Sequence, residues 1–167
     1  PCTEKDMAKL VTIARLEVNK GVDDAVRAFA AVAVRFRAAS LTIIGEGPDR
    51  ARLEELVASL GLRGRVVFTG GIGHSLVYDH LRTASVLLLL SRSPAERLPN
   101  AVKEAMACRC LCIVTQTPGI EELLAPVVNR TLHTYHSVLR ILCEAFQIDT
   151  EGYADRCEKR LIEEALA

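Results

Sequence analysis

The segment Val86-Leu87-Leu88-Leu89-Leu90 carries no polar side chain, and that unbroken run constrains everything around it. It is far too short to cross a bilayer. A strand that is apolar on both faces must be covered on both faces, which is the situation of a central strand in a parallel sheet with helices on either side.

The rest of the chain alternates accordingly. Residues 10–14 read as a buried strand with a polar exit through Arg15 and Lys20, and residues 1–8 as a leader. Val22, Ala25, Val26, Phe29, Ala33 and Phe36 recur at three- and four-residue steps, which predicts a helix over 22–37. Residues 41–44 form the next strand. It breaks at Gly45-Glu46-Gly47-Pro48, and Leu53, Leu56, Val57 and Leu60 then mark a second helix ended by Gly61. Residues 65–69 make a third strand, and Leu76, Val77, Leu81 and Ala84 a third helix after Gly70-Gly71-Ile72-Gly73. Beyond the central strand come a helix starting at Pro99, a strand over 111–115, a short helix over 120–124 and a weak strand at Val127-Val128. Terminal helices fill 132–167, the first with Leu132, Tyr135, Leu139, Leu142 and Phe146 on one face. Strand–helix alternation at these connection lengths predicts an α/β fold, a doubly wound parallel Rossmann-like sheet, in one domain across 1–167. In the order 3-2-1-4-5-6, strands one and four meet where the winding reverses, and ligands bind at their carboxyl ends.

Composition removes several function classes. The 21 basic and 21 acidic side chains cancel and interleave, leaving no basic stripe for nucleic acid or an anionic membrane. Aromatics at 4% supply no base-stacking platform. No membrane span and no signal peptide are visible. The six cysteines lack the spacing of a disulfide framework, so reduced thiols and a cytoplasmic location are expected. Cys108, Cys110 and Cys112 read as a helix end running into a buried strand rather than a metal cluster.

Glu96 and Glu104, with seven residues between them, bracket the exit of the central strand and the following helix. Pro99 suits that helix's first turn, and the helix's N-terminal amides suit an anion. At about 1.5 Å per residue the carboxylates stand roughly 12 Å apart, too far to share a proton and suited to the two ends of one long ligand. Arg15 and Lys20 leave the first strand at the same crevice, where a guanidinium and an ammonium suit a diphosphate. Gly45-Glu46-Gly47-Pro48-Asp49-Arg50 is not a dinucleotide fingerprint, because it follows the second strand and Arg50 takes the place of the third glycine; its glycines read as a tight turn. His74, His80, His133 and His136 have no catalytic partner at an informative spacing and read as bystanders.

With these residues in view, the chain resembles the C-terminal, donor-binding domain of the retaining two-domain (GT-B fold) glycosyltransferases, group 1 or family 4 type. The fragments are Ala14-Arg15-Leu16 with Lys20-Gly21, Ile44-Gly45-Glu46-Gly47-Pro48, Val67-Phe68-Thr69-Gly70, Glu96 through Ala107, and Pro118-Gly119-Ile120-Glu121-Glu122-Leu123. The resemblance implies a nucleotide-diphospho-sugar donor held by Arg15 and Lys20 on the diphosphate, Glu96 on the sugar and Glu104 on the ribose. It further implies support from the amides near Leu98, Asn100 and Ala101, with the base near Ile72. Glu96, Arg15 and Lys20 are then the catalytic residues, transfer of a hexose-type sugar proceeds with retention, and neither metal nor other cofactor is required. It also implies an N-terminal acceptor domain that these residues do not include, without which the domain binds and does not transfer, and through which a peripheral membrane association is open. Arg97, Leu98, Ala14, Arg109 and Leu111 depart from the family's usual Gly, Phe, Gly, Gly and Pro. A degenerate nucleotide or sugar-phosphate binding module, and a nucleotide-sugar epimerase of the same architecture, remain as alternatives.

Overall fold

The computed structural model describes residues 5–95, 99–120 and, for the backbone, 130–132. Six parallel strands, β1 (Asp6–Ile13), β2 (Ser40–Ile44), β3 (Val66–Gly70), β4 (Ala84–Leu89), β5 (Leu111–Thr115) and β6 (Arg130–Leu132), form one sheet in the order β3-β2-β1-β4-β5-β6. Between them run the helices α1 (Val22–Arg35), α2 (Arg50–Ser59), α3 (His74–Thr83) and α4 (Asn100–Ala107). This is the doubly wound topology the sequence predicts, with β1 and β4 adjacent at the reversal.

β4 is buried at all six positions, and its side chains alternate between two cores. Val86, Leu88 and Leu90 join Leu10, Leu41, Ile43 and Ile113 under α1 and α2. Leu87 and Leu89 join Val11, Cys112 and Val114 under α3 and α4. Cys108, Cys110 and Cys112 carry free thiols. Burial pushes the Cys112 thiol up to about 12 and raises that of Cys110, so both behave as small apolar side chains.

Several boundaries differ from expectation. β1 starts at Asp6, so the leader of residues 1–8 is partly strand; its first residues are exposed and are fixed by pairing, Asp6 opposite Ala84, instead of burial. Pro99 is the extended residue before α4, with ψ at 126°, and not in its first turn. Ala84 opens β4 rather than closing α3. Leu132 closes β6, pairing with Thr115, so it belongs to a strand and not to a terminal helix. The short helix expected over 120–124, apart from Ile120, the strand at Val127-Val128 and the helices over 133–167 lie outside the described residues.

Two helix ends show one hydrogen-bond pattern built from different residues. After α2, Gly61 donates to the Ala58 carbonyl and Leu62 to that of Val57; after α4, Arg109 donates to Met106 and Cys110 to Ala105. Both are Schellman ends, which place one residue in the left-handed region. Gly61 takes it at φ 68°, and Arg109 at φ 63°. Arginine there carries a steric penalty that glycine does not. The end of α1 is closed from outside the helix. Arg65 donates from Nη1 to the Ala33 carbonyl at 2.6 Å and from Nη2 to Phe36 and Ala39 at 2.7 and 2.8 Å, with its guanidinium over the Phe29 ring.

Arg65→Ala is expected to lower the unfolding free energy by about 2 kcal/mol, since three carbonyls lose a charged donor. Arg65→Lys recovers less than half of that, because an ammonium lacks the planar fork. Urea unfolding measures both, and an unchanged midpoint in Arg65→Ala refutes the capping role. Arg109→Gly is expected to raise stability by about 1 kcal/mol by relieving the left-handed residue; a lowered midpoint would sink that reading.

Candidate functional site

The carboxyl ends of β1, β2 and β3 are tied to one another by backbone hydrogen bonds that continue past the strands. Ala14 donates to the Ile44 carbonyl at 3.1 Å, Leu16 to Glu46 at 2.9 Å, and Gly45 to Gly70 at 3.0 Å. This closeness explains the glycines beyond the tight turn that the sequence predicts, which Gly47 opens by accepting the Arg50 N–H at 3.3 Å. A first side-chain carbon on Gly45 would stand 1.9 Å from the Ala14 carbonyl oxygen, and one on Gly47 2.3 Å from that of Leu16. Gly45 also has φ 142°, which disfavours any residue with a side chain. Leu16 is fully buried, and its carbonyl accepts the Asp49 N–H at 2.9 Å. The backbone on both sides of Arg15 is therefore fixed, while the Arg15 side chain is 77% exposed and reaches Glu17 at 2.6 Å.

A crevice of about 310 Å³ opens above these exits. Arg15 and Ile13 line it from β1, Gly45 and Glu46 from β2, Ile72 and His74 from the segment after β3, and Glu104 from α4. Arg15, Ile72 and Glu104 thus come together as the sequence predicts. The crevice lies over β1 to β3 with α4 as a wall, to one side of the β1–β4 junction where the sequence rule puts it. Lys20, at the end of the 3₁₀ turn Val18–Lys20, and Asn100 and Ala101, the first residues of α4, do not line it. Glu96 and Leu98 lie outside the described residues, as does Arg97.

Two lining residues escaped the sequence reading. His74 opens α3 and stands with Nδ1 3.7 Å from Glu104 Oε1; the imidazole is 86% exposed and the carboxylate 17%. Its signal was its place directly after the Gly70–Gly73 segment, which already pointed to the crevice. Glu46 accepts from Arg50 at 2.5 Å, and Arg50 also binds Glu54 at 2.8 Å, so this acid is braced by α2. The site thus offers a cation on an exposed arm, a half-sheltered carboxylate opposite it, and an apolar wall at Ile72. Such a set suits an elongated ligand with an anionic part, hydroxyl donors and a flat apolar part. Among the described residues, no three His, Cys, Asp or Glu side chains converge as a metal site, and no helix is long and apolar enough to cross a membrane.

Residues 3–138 match the family model of the glycosyl transferases group 1. The chain is 32% identical over 157 residues to N-acetyl-alpha-D-glucosaminyl L-malate synthase of Bacillus anthracis, covering 94% of this chain and 37% of the synthase. Among solved structures, the C-terminal domain of a group 1 glycosyl transferase from Francisella tularensis superposes with a TM-score of 0.70 at 19% identity, over 89% of this chain and 80% of that one. The Anabaena protein HepE, solved with UDP and glucose, gives 0.70 at 19% identity, over 88% of this chain and 40% of its own. These two likenesses speak for the fold, and the sequence match for the family. The chain belongs to the glycosyl transferases group 1, as a Rossmann-like α/β domain of the GT-B kind.

Proposed function

We propose that this domain binds the nucleotide-diphospho-sugar donor of a retaining hexosyltransferase. The observation that carries the proposal is the crevice in which Arg15, Ile72 and Glu104 meet at the carboxyl ends of parallel strands. Donor-type ligands in related folds support it: HepE was solved with UDP and glucose, and a pneumococcal O-GlcNAc transferase with UDP and GlcNAc.

In this reading Glu104 accepts hydrogen bonds from the ribose hydroxyls and Ile72 lies against the base. His74, beside Glu104, borders the nucleoside. The diphosphate takes the place of Glu17 on the Arg15 guanidinium, with Lys20 as the second cation. The sugar lies toward the N-terminus of α4, where Asn100 and Ala101 supply amides, and Leu98 and Glu96 are assigned to the sugar's phosphate and hydroxyls. As the glycosidic bond to the donor breaks, negative charge grows on the departing diphosphate, and Arg15 and Lys20 stabilise it electrostatically without giving up a proton. Retention requires the acceptor to arrive on the face the diphosphate leaves. A further domain carries that acceptor in this proposal, so the chain by itself binds donor and does not transfer.

Calorimetric titration with UDP, GDP, ADP and their common sugar conjugates tests this. Saturable binding of one nucleotide is expected, weakened at least tenfold by Glu104→Ala and by Lys20→Ala, an effect in the range of one charge-assisted hydrogen bond. Unchanged urea midpoints in both variants keep the loss attributable to the site. A folded chain that binds none of these ligands overturns the donor reading. Binding of a nucleotide with no preference for its sugar conjugate favours a module that recognises the nucleotide alone.

A further inference from the structure

Arg92 follows β4 and lies four residues before Glu96. Its backbone N–H donates to the Asn19 carbonyl at 2.8 Å, and its Nη1 to the Val18 carbonyl at 2.9 Å. Nη2 meets Asp24 Oδ2 at 2.6 Å and Asp23 Oδ2 at 3.0 Å, both in the first turn of α1. Ser91 Oγ donates to the Asn19 carbonyl as well, at 3.4 Å. Val18 and Asn19 belong to the turn that ends in Lys20. The next residue, Gly21, has φ 61°, and a first side-chain carbon on it would stand 1.9 Å from the Leu90 carbonyl oxygen. One side chain and one close backbone approach therefore fasten the β1–α1 loop to the β4–α4 loop.

We infer that Arg92 is a positioning residue that locks the loop bearing Lys20 to the β4–α4 loop leading to Asn100 and Ala101, and so sets the diphosphate end of the donor site against its sugar end. The assignment rests on the donor-binding reading above. Arg92 touches neither end of the ligand in that reading; it acts through the two loops it joins. The acid in the clamp argues for geometry over stability. Burial holds the Asp24 carboxyl above its ordinary value against the pull of Arg92, with Asp23 adding to the rise. An acid whose folded value is raised contributes stability only below its unfolded value, and that contribution is lost as the pH rises through the folded value. At neutral pH the desolvated Asp24 charge therefore works against folding. Burial of the Arg92 guanidinium is outweighed by the two acids, which hold it above its ordinary value, so the two halves of the pair pull stability in opposite directions. What it supplies is direction, holding a planar guanidinium against two carboxylates and one carbonyl.

The test titrates the wild-type chain, Arg92→Gln and Asp24→Asn with whichever of UDP, GDP and ADP binds and with that nucleotide's glucose or mannose conjugate, alongside urea unfolding at pH 7. Wild type is expected to prefer the conjugate. In Arg92→Gln that preference falls by about tenfold while affinity for the bare nucleotide changes less than about threefold, as expected when only the relation between two loops is lost. Asp24→Asn moves the preference in the same direction without lowering the urea midpoint, a combination that a merely structural ion pair would not give. Variants that keep the wild-type preference overturn the assignment. So do variants that lose nucleotide and conjugate equally with a matching loss of stability. A wild-type chain that binds no nucleotide defeats the donor reading itself, and the role of Arg92 with it.

Discussion

The site depends on backbone pairing that outlasts the strands. β1, β2 and β3 end at Ile13, Ile44 and Gly70, yet the hydrogen bonds from Ala14 to Ile44, Leu16 to Glu46 and Gly45 to Gly70 keep their exits side by side. Buried amides need partners, and here each loop supplies the next one's. The cost is that no side chain fits at Gly45 or Gly47, where the neighbouring carbonyl oxygen occupies the volume a Cβ would take. The gain is a rigid stem for Arg15. With Leu16 fully buried and its carbonyl bound by Asp49, the exposed guanidinium stands on a Cα that is held in place. A cation built this way answers an anion without reorganising the fold.

That arrangement sets what could be read in the sequence. The apolar run at 86–90 announces a central strand because burial on two faces is a local, compositional demand, and the structure places β4 between β1 and β5. The apolar stripe of α1 likewise shows its period, with Val22, Ala25, Val26 and Phe29 all buried. The reason for Gly45 and Gly47 is not local. It lies in the carbonyls of Ala14 and Leu16, some thirty residues earlier, so the letters show only the turn that Gly47 opens. The first half of β1 leaves no such mark in the sequence for the complementary reason: Asp6 and Met7 are exposed, and pairing with β4 makes this end strand. Leu132 carried a helical spacing that the open edge of β5 overrode. His74 has no catalytic partner nearby in sequence, whereas its neighbour across the crevice, Glu104, is supplied by a different helix.

Charge is used in two ways in a chain whose formal net charge is zero. Pairs such as Arg82–Asp79 and Arg50–Glu54 lie three or four residues apart on exposed helix faces, where solvent screens them and they contribute little. Arg65 and Arg92 reach across the fold. Arg65 satisfies the last carbonyls of α1, which no residue within the helix can do, and so acts on stability. Arg92 gathers two acids from the first turn of α1 and a carbonyl from the β1–α1 loop, and so acts on placement. The distinction follows from what each guanidinium faces: dipoles already present in the fold in one case, charges that had to be desolvated in the other.

The helix that presents Glu104 shows how little of its position comes from itself. α4 has eight residues, short of what an isolated helix needs to persist in water. Pro99 precedes it without a side-chain cap, and it ends on an arginine in a backbone region that favours glycine. The cationic side chain at that end offsets part of the strain through the helix dipole, by at most about 1 kcal/mol. What holds α4 is the full burial of Val102 and Ala105 against the core shared with α3. Glu104 is therefore located by packing on β4 and β5 and oriented across the crevice to His74, so its distance from Arg15 is set by the sheet. An acceptor and a cation whose backbones are fixed to one rigid frame from opposite sides set the length of ligand that can touch both.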